Sequence, residues 1–422
     1  MIFHVDGNSF YASCERIFRP DLYDKPIAVL SNNDACIVAL DNKCKDLGFR
    51  RGDVYFMVRK GIEDRGVAVC SSNYTLYADI SGRLNALYHR FSPDVERYSI
   101  DESFLYFPDW RNTDYTEIGR SIREAAGNEI GVPVAVGIAP TKTLSKLCNK
   151  LAKKRGGVCE WNKIDQDETL KNIPVGDIWG IGKAKSEMLK KRGILTAYDL
   201  KRYPLDKAKK NLSIVGMRTV QELNGIAAIG LEISAARHQI ICSRSFSSGV
   251  YYLDDLIPAL TEYTQEAVAR MRDDGLACSN LTVFLMTNPF GEGKQYSNQA
   301  TGEFNEPTAY LPEIQAMAAG LLRRIYRYGY KYRKVMVLLS GMKEGKNQQP
   351  DLFEDTTSRE KRERLMRSFD LINAKYGRGS IRMGAAGLAS GQNESGVVPW
   401  KMRREFLSPS YTTKLSDVPK VY

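Results

Sequence analysis

Phe3-His4-Val5-Asp6-Gly7-Asn8-Ser9-Phe10-Tyr11 places an aspartate where an apolar strand ends, followed by a glycine that lets the chain turn sharply. Asp6 is therefore expected at the carboxyl end of a strand, where open α/β sheets present their chemistry. Downstream, Tyr98-Ser99-Ile100-Asp101-Glu102-Ser103-Phe104-Leu105 sets two adjacent carboxylates between two apolar half-strands, the pattern of a hairpin tip. Neighbouring strand residues point to opposite faces, so Asp101 and Glu102 converge on one site only where the backbone bends or the tip is exposed. Three carboxylates within a few ångströms repel by roughly 4 kcal/mol per pair at an effective dielectric of about 20, and bridging divalent cations reverse that sign. Two Mg²⁺ ions held by shared carboxylates activate an attacking hydroxyl and stabilise a leaving phosphate, which is the chemistry of phosphoryl and nucleotidyl transfer. On spacing alone, a solvated Asp-Glu turn and a helix-capping Asp6 compete with this reading.

Around these stretches the chain up to about Asp165 alternates apolar runs at 2–5, 26–30, 67–70 and 132–138 with helical stretches such as 116–126. That pattern predicts a mixed α/β region. From about residue 170 to 236 the strand-like runs vanish, and short helices alternate with Gly180, Gly182, Gly193, Gly216 and Gly225. A small all-helical module is expected there. Strand patterns at 239–243, 281–286 and 334–339 with helical ones at 256–273 and 311–328 predict an α+β domain. Beyond Gly341, a polar stretch at 343–350, a charged helix around 358–373 and a Gly- and Ser-rich run at 377–396 predict a tail with partial order at best.

The 422 residues carry 61 Lys and Arg against 50 Asp and Glu, a net charge of +11 and a pI near 9.1, which favours polyanionic partners and nucleic acid first among them. Charge alone does not separate a nucleic-acid binder from a basic enzyme, so the motifs decide. The eight cysteines never reach a C-x-x-C spacing and only three histidines accompany them, so no zinc site is expected. No basic leader precedes Asp6 and no apolar run reaches membrane-spanning length, so a reduced, cytoplasmic protein without membrane contact is expected.

Asp6 followed by Phe10-Tyr11-Ala12-Ser13-Cys14-Glu15, and then Ser99-Ile100-Asp101-Glu102-Ser103, resemble the two palm motifs of the Y-family translesion DNA polymerases. Further stretches resemble the UmuC branch of that family: Leu30-Ser31-Asn32-Asn33-Asp34, Ser71-Ser72-Asn73-Tyr74, Leu76-Tyr77-Ala78-Asp79, Ile241-Cys242-Ser243-Arg244-Ser245-Phe246 and Leu407-Ser408-Pro409-Ser410-Tyr411-Thr412-Thr413. The resemblance spans nearly the whole chain. It implies a multidomain α/β and α+β fold shaped as a right hand. The palm would comprise 1–12 and 78–168, the fingers 13–77, a helical thumb with a helix-hairpin-helix 169–236, the little finger 239–342, and a C-terminal tail for partner contacts 343–422.

The resemblance also implies that Asp6, Asp101 and Glu102 hold the two catalytic Mg²⁺ ions, with the Gly7 carbonyl as an extra ligand. Phe10 and Tyr11 fall at the nucleotide, Tyr11 as a steric gate whose ring under the sugar leaves no space for a 2′-hydroxyl. Lys142, Lys146, Lys150, Lys153, Lys154 and Arg155 would supply charge for the triphosphate, with Lys153 as the implied phosphate contact. For the other lysines, recurrence at helical spacing fits a solvated helix face equally well. Gly137 to Thr143 lacks the glycine that precedes the lysine of a Walker A loop and is rejected as one. Where many family members place Thr, Tyr and Arg around the triphosphate, this chain has Ala39, Asn42 and Lys45. Only Lys45 keeps the charge, and a point charge without a bidentate fork predicts a looser clasp.

Ile178-Trp179-Gly180-Ile181-Gly182-Lys183 resembles the hairpin of a helix-hairpin-helix, in which Gly180 and Gly182 let backbone N–H groups face a phosphate while Lys183 and Lys185 add charge. The stretch from Arg323 to Lys334 interleaves basic residues with tyrosines, and Arg323, Arg324, Lys331 and Arg333 are the implied little-finger contacts to DNA. A solvated basic face with tyrosines packing a strand is the competing reading. Gln349-Pro350-Asp351-Leu352-Phe353 resembles the peptide that docks in the sliding clamp through Gln349, Leu352 and Phe353, with Pro350 departing from the commoner leucine. The function implied is error-prone, template-directed translesion synthesis in the SOS DNA-damage response, adding dNTPs to a primer 3′-hydroxyl. Implied partners are primer-template DNA, dNTP, a sliding clamp, a UmuD′-type accessory dimer and a RecA-type filament, in the nucleoid-associated bacterial cytoplasm. A stand-alone DinB-type polymerase and a non-catalytic DNA-binding scaffold are the alternatives, and the triad of Asp6, Asp101 and Glu102 argues against the scaffold.

Overall fold

The computed structural model describes residues 1–108, 113–231, 237–345, 356–377, 379–386 and 403–419. Strand β1 (Ile2–Gly7) turns through Ser9, left-handed at φ 47°, into helix α1 (Phe10–Ile17). Strands β2 (Ile27–Leu30) and β3 (Ile37–Leu40), helices α2 (Asn42–Asp46) and α3 (Tyr55–Asp64), and strand β4 (Ala68–Ser71) follow. They form a three-stranded sheet of order β3-β2-β4, with β2 antiparallel to β3 and parallel to β4. Every residue of β2 is buried, which is why it reads as an unbroken apolar run.

Helix α4 (Tyr74–Tyr88) begins at Asn73, whose side-chain oxygen accepts from the Leu76 N–H at 3.2 Å. Strands β5 (Val95–Arg97) and β6 (Glu102–Tyr106), helix α5 (Tyr115–Ala125), strand β7 (Val134–Ala139), helix α6 (Lys142–Ala152) and strand β8 (Val158–Glu160) complete a five-stranded sheet of order β5-β6-β1-β7-β8. The central strand β1 is antiparallel to both neighbours, with Asp6 opposite Glu102 and His4 opposite Phe104. Helix α6 lies close against β7, because a Cβ on Gly137 would fall 2.1 Å from the Ser145 carbonyl oxygen and 2.2 Å from the Asn149 nitrogen. Only glycine permits that approach.

Helices α7 (Gln166–Lys171), α8 (Lys183–Lys190), α9 (Ala197–Lys201) and α10 (Leu205–Leu223) follow without a strand between them. Their core residues Ile173, Val175, Ile178, Leu189 and Leu212 pack with Leu144, Leu147 and Cys148 of α6. Because α6 gives apolar residues to this cluster and polar ones to the sheet, the helical module joins the sheets in one compact unit. Two units result, Met1–Ser234 with Arg404–Tyr422, and Ala235–Arg403.

The second unit contains strand β9 (Gln239–Val250), helix α11 (Leu253–Asp273), strands β10 (Leu276–Thr287) and β11 (Ser297–Thr308), helix α12 (Leu311–Ile325) and strand β12 (Tyr332–Glu344). Its antiparallel sheet has the order β11-β10-β12-β9. Leu281, Val283, Leu285, Val335, Val337 and Leu339 alternate toward α11 and α12 and form the core with them. A last helix, α13 (Thr356–Tyr376), joins that core through Met366, and Arg272 of α11 clasps Asp370 with two bonds of 2.7 and 2.5 Å.

The C-terminal tail is held at two places. Helix α13 is anchored on the second unit, and residues from Arg404 onward return to the first. Met366 in α13, with Phe369 beside it, and Tyr411 near the end are the anchors. Among the described residues, no helix is long and apolar enough to cross a membrane.

Candidate active site

Strand alternation puts His4 and Asp6 on one face of β1, and pairing sets Asp6 against Glu102. The Gly7 N–H donates to the Asp101 carbonyl at 2.9 Å, which pins the hairpin tip to the end of β1. Ser99 Oγ donates to Asp101 Oδ1 at 2.7 Å and accepts from the Glu102 N–H at 3.1 Å. These bonds form the bend that lets consecutive carboxylates serve one site.

Helix α6 runs along the sheet and lays donors on it turn by turn. Lys142 Nζ meets both Glu96 carboxylate oxygens at 2.8 and 2.7 Å, and Lys146 Nζ meets both Glu102 oxygens at 3.1 Å. Asn149 donates to the His4 and Ala135 carbonyls at 2.9 and 2.7 Å, and Lys153 Nζ reaches Asp6 Oδ1 at 2.7 Å. Phe104, Tyr98 and Trp179 surround the Lys146 ammonium, with ring centroids 5.7, 4.4 and 5.5 Å away. The Trp179 indole donates to the Tyr98 hydroxyl at 3.1 Å, so the helical module touches the carboxylate hairpin directly.

Burial raises the Asp6 carboxyl to about 6; Lys153 opposes the rise, and Glu102 and Asp101 add to it. For Glu102 burial pulls upward too, but His4 and Lys146 outweigh it and hold the carboxyl down at about 2. Burial pushes the His4 imidazole down to about 4, so it is neutral at pH 7, with Nε2 3.6 Å from Glu102 Oε1. The site thus offers hard oxygen donors, with Asp6 raised in part by the charges of Glu102 and Asp101, a donor set that fits a divalent cation. Among the described residues no three candidate ligands already converge on one metal position, and Lys153 and Lys146 supply the countercharge on Asp6 and Glu102.

One expected contact is corrected. Lys142 is 1% exposed, and its charge is spent on Glu96 and on the Gly230 carbonyl at 2.7 Å, so it is neither a triphosphate contact nor on a solvated face. The Phe10 ring is buried in the core beneath Gly7, where a Cβ would meet it at 3.0 Å. Tyr11 is partly exposed, stacked on Tyr77 with centroids 4.3 Å apart and planes 15° apart, and edge-on to Tyr74. Lys45, exposed on α2, donates to Asn42 Oδ1 at 3.1 Å, and Lys150 pairs with Asp177. Lys153 keeps 40% of its side chain exposed.

Gly180, left-handed at φ 85°, and Gly182, which caps α8 without a side chain, leave the first turn from Lys183 bare of side-chain caps. A second break, at Ser213 with φ 71° inside α10, was not signalled by any glycine at that position. In the second unit Arg323 and Arg324 are exposed in the last turn of α12, and Lys331 lies over the Tyr251 ring at 5.8 Å. Tyr332 is fully buried while Arg333 beside it is half-buried, so strand alternation divides the basic-aromatic stretch between two faces. Gln349, Leu352 and Phe353 lie outside the described residues. His4, Tyr98 and Trp179 escaped sequence reasoning; strand alternation with Asp6 could have found His4, whereas nothing local marks Trp179.

Residues 5–150 match the model of the impB/mucB/samB family, 237–352 match the C-terminal domain of that family, and 363–421 match a domain of unknown function, DUF4113. Protein UmuC of Salmonella typhimurium is 38% identical over 424 residues, covering 99% of each chain. The chain belongs to the UmuC-type Y-family DNA polymerases. Protein ImpB of the same organism is 38% identical over 98% of each chain, and DNA polymerase IV of Desulfatibacillum aliphaticivorans is 26% identical over 91% of this chain and 96% of its own. A Y-family chimera of Dbh and Dpo4 shares the fold with a TM-score of 0.67 at 19% identity, over 81% of this chain and 98% of its own. The insertion ternary complex of Dbh DNA polymerase gives a TM-score of 0.53 at 18% identity, over 80% and 98%. As a UmuC-type polymerase the chain is a DNA-directed DNA polymerase of translesion synthesis in the SOS response, with palm, fingers, thumb and little finger, acting on DNA and dNTP with divalent metal ions.

Proposed function

We propose that Asp6, Asp101 and Glu102, with the Gly7 carbonyl, hold two Mg²⁺ ions, and that Tyr11 is the steric gate against rNTPs. The observation that carries this is the pairing of Asp6 with Glu102 across β1 and β6, with Asp101 tied to Gly7 at their shared end. Ions held there would supply activation of the primer 3′-hydroxyl and countercharge for the leaving pyrophosphate. Neutral His4 and Lys146 keep Glu102 ionised, and Ser99 orients Asp101. Lys153 balances Asp6 and, being partly exposed, is the cation available to a phosphate; Lys45 adds a second charge from the fingers. Tyr11, held flat against Tyr77, selects the sugar by exclusion.

In this reading the palm is 1–12 and 78–168, the fingers 13–77, the thumb 169–236 and the little finger 239–342. Gly180, Gly182 and Lys183 grip backbone phosphates without reading sequence, as do Arg323, Arg324, Lys331 and Arg333. Residues 349–353 engage a sliding clamp, and the region from 343 onward meets a UmuD′-type dimer and a RecA-type filament. The test is primer extension by the full-length chain on undamaged and abasic templates, with and without a candidate accessory subunit. Asp101→Ala abolishes extension under this assignment, and undiminished extension refutes it. Tyr11→Ala admits rNTPs, and unchanged sugar discrimination removes the gate.

A further inference from the structure

The last described segment, residues 403–419, covers both chain crossings between the two sheets of the first unit: α1 on the way out and residues 71–73 on the way back. The Glu405 N–H donates to Asp34 Oδ2 at 2.8 Å and the Phe406 N–H to Ser71 Oγ at 3.0 Å. The Ser71 N–H returns a bond to the Phe406 carbonyl at 2.9 Å, which makes a parallel bridge beside β4. Asn73, the cap of α4, donates from Nδ2 to Ser408 Oγ at 3.0 Å. Phe406 meets Tyr55 edge-on at 5.8 Å, and Tyr411 stacks on Phe18 of the α1 end at 4.7 Å.

In the same packing sits Glu15 of α1, 1% exposed. Its Oε1 accepts from the Tyr77 hydroxyl at 2.7 Å, while Oε2 has no hydrogen-bond partner among the described residues. Burial raises this carboxyl, and the Tyr77 hydroxyl counters the rise. A buried carboxylate is costly unless polar groups meet it, and here the Tyr77 hydroxyl meets it from α4, the helix whose cap Asn73 is held by the C-terminal segment. Tyr77, fully buried, stacks on Tyr11, and a ring in that arrangement cannot tilt without losing the stack.

We infer that the C-terminal segment sets sugar selection in the polymerase site: Ser408 holds Asn73, the cap of α4, Glu15 holds the hydroxyl of Tyr77 in the first turn of α4, and Tyr77 fixes the plane of Tyr11. The inference rests on Tyr11 being the gate. Ser408, Glu15 and Tyr77 are positioning residues that act through Tyr11 and do not touch the substrate. A gate that works by exclusion depends on where its ring lies, so a small tilt opens it to a 2′-hydroxyl while leaving the metal ligands in place.

The test measures kcat/KM for a dNTP and for the matching rNTP in Mg²⁺-dependent primer extension by the full-length chain. Tyr77→Phe keeps the ring and removes the hydroxyl, Ser408→Ala removes the hydroxyl of the segment, Ser408→Thr keeps one, and Tyr11→Ala reports on the gate. Tyr77→Phe and Ser408→Ala are each expected to lower the dNTP-over-rNTP ratio on the order of tenfold, the scale of one hydrogen bond. Ser408→Thr is expected to restore it, and Tyr11→Ala to lower it at least as far. If Tyr11→Ala lowers the ratio and either Tyr77→Phe or Ser408→Ala leaves it unchanged, the proposal is overturned and the gate stands. Equal losses with dNTP and rNTP in Ser408→Ala also overturn it, because the segment then only supports the fold. If Tyr11→Ala leaves the ratio unchanged, gate and proposal fall together.

Discussion

Replacing Lys142 by alanine should lower the unfolding temperature of the first unit and leave dNTP affinity alone. The Lys142 ammonium lies 2.7 and 2.8 Å from the Glu96 oxygens and 2.7 Å from the Gly230 carbonyl, and the two side chains are 1% and 5% exposed. Its removal leaves Glu96 buried with the Tyr106 hydroxyl as a remaining donor at 2.8 Å. Breaking one side of a buried pair costs about 3–5 kcal/mol, most of it the uncompensated charge. At about 2–4 °C per kcal/mol for a unit of this size, the transition should fall on the order of 10 °C. Differential scanning calorimetry of the full-length chain measures this, and the double variant Lys142→Met with Glu96→Gln should regain most of the loss, because it removes both charges together. A fall under about 3 °C, roughly 1 kcal/mol on the same scale, would refute the reasoning. So would a dNTP KM that rises about tenfold at unchanged stability, since that assigns Lys142 to the nucleotide.

Three further outcomes are expected. Glu15 binds its proton more tightly folded than at its ordinary value of 4.5, so its buried charge destabilises the fold at high pH and the penalty is relieved as pH falls toward 4.5. Glu15→Gln should therefore unfold at a higher temperature than the parent at pH 8, with the difference shrinking on acidification; a pH-independent difference contradicts this. Lys331→Ala and Arg333→Ala should each weaken DNA binding about equally across sequences and reduce the salt slope by about 1, and a sequence-dependent loss would mean base reading instead. Asp370→Ala should free α13 from Arg272 and speed limited proteolysis within residues 356–377 on the order of tenfold, and unchanged cleavage would show that the apolar contacts of Met366 and Phe369 hold the helix.

The carboxylate site was legible because its parts are local: an apolar strand ending in Asp6 and a hairpin tip at Asp101 and Glu102 both follow from strand periodicity. Lys142 and Lys153 share one helical spacing, yet one is consumed by a buried partner and the other is partly exposed. What separates them is Glu96 on an edge strand, which a helix pattern cannot report. The docked C-terminal segment was illegible for a similar reason, since Glu405 bonds to a residue 371 positions away and Phe406 to one 335 away. Nevertheless the stretches at 30–34, 71–74, 76–79 and 407–413 had already stood out together as UmuC-like. In the structure they meet in one place, through Asp34, Ser71, Asn73 and Ser408. Trp179 and Tyr98 lay beyond reach because an indole donating to a distant tyrosine leaves no pattern in either neighbourhood.

The return of the chain to the first unit makes Ala235–Arg403 an insertion, covalently continuous with its host at both ends. A single backbone cut inside the insertion would not by itself divide the molecule. The fragment beginning after the cut stays attached through the docked segment, so the parts remain at the high mutual concentration of a tethered pair. Undocking the segment has the opposite effect. It turns a loop closed at two points into a chain held at one, and the entropy of that opening becomes a free-energy term available to any ligand that grips the released end.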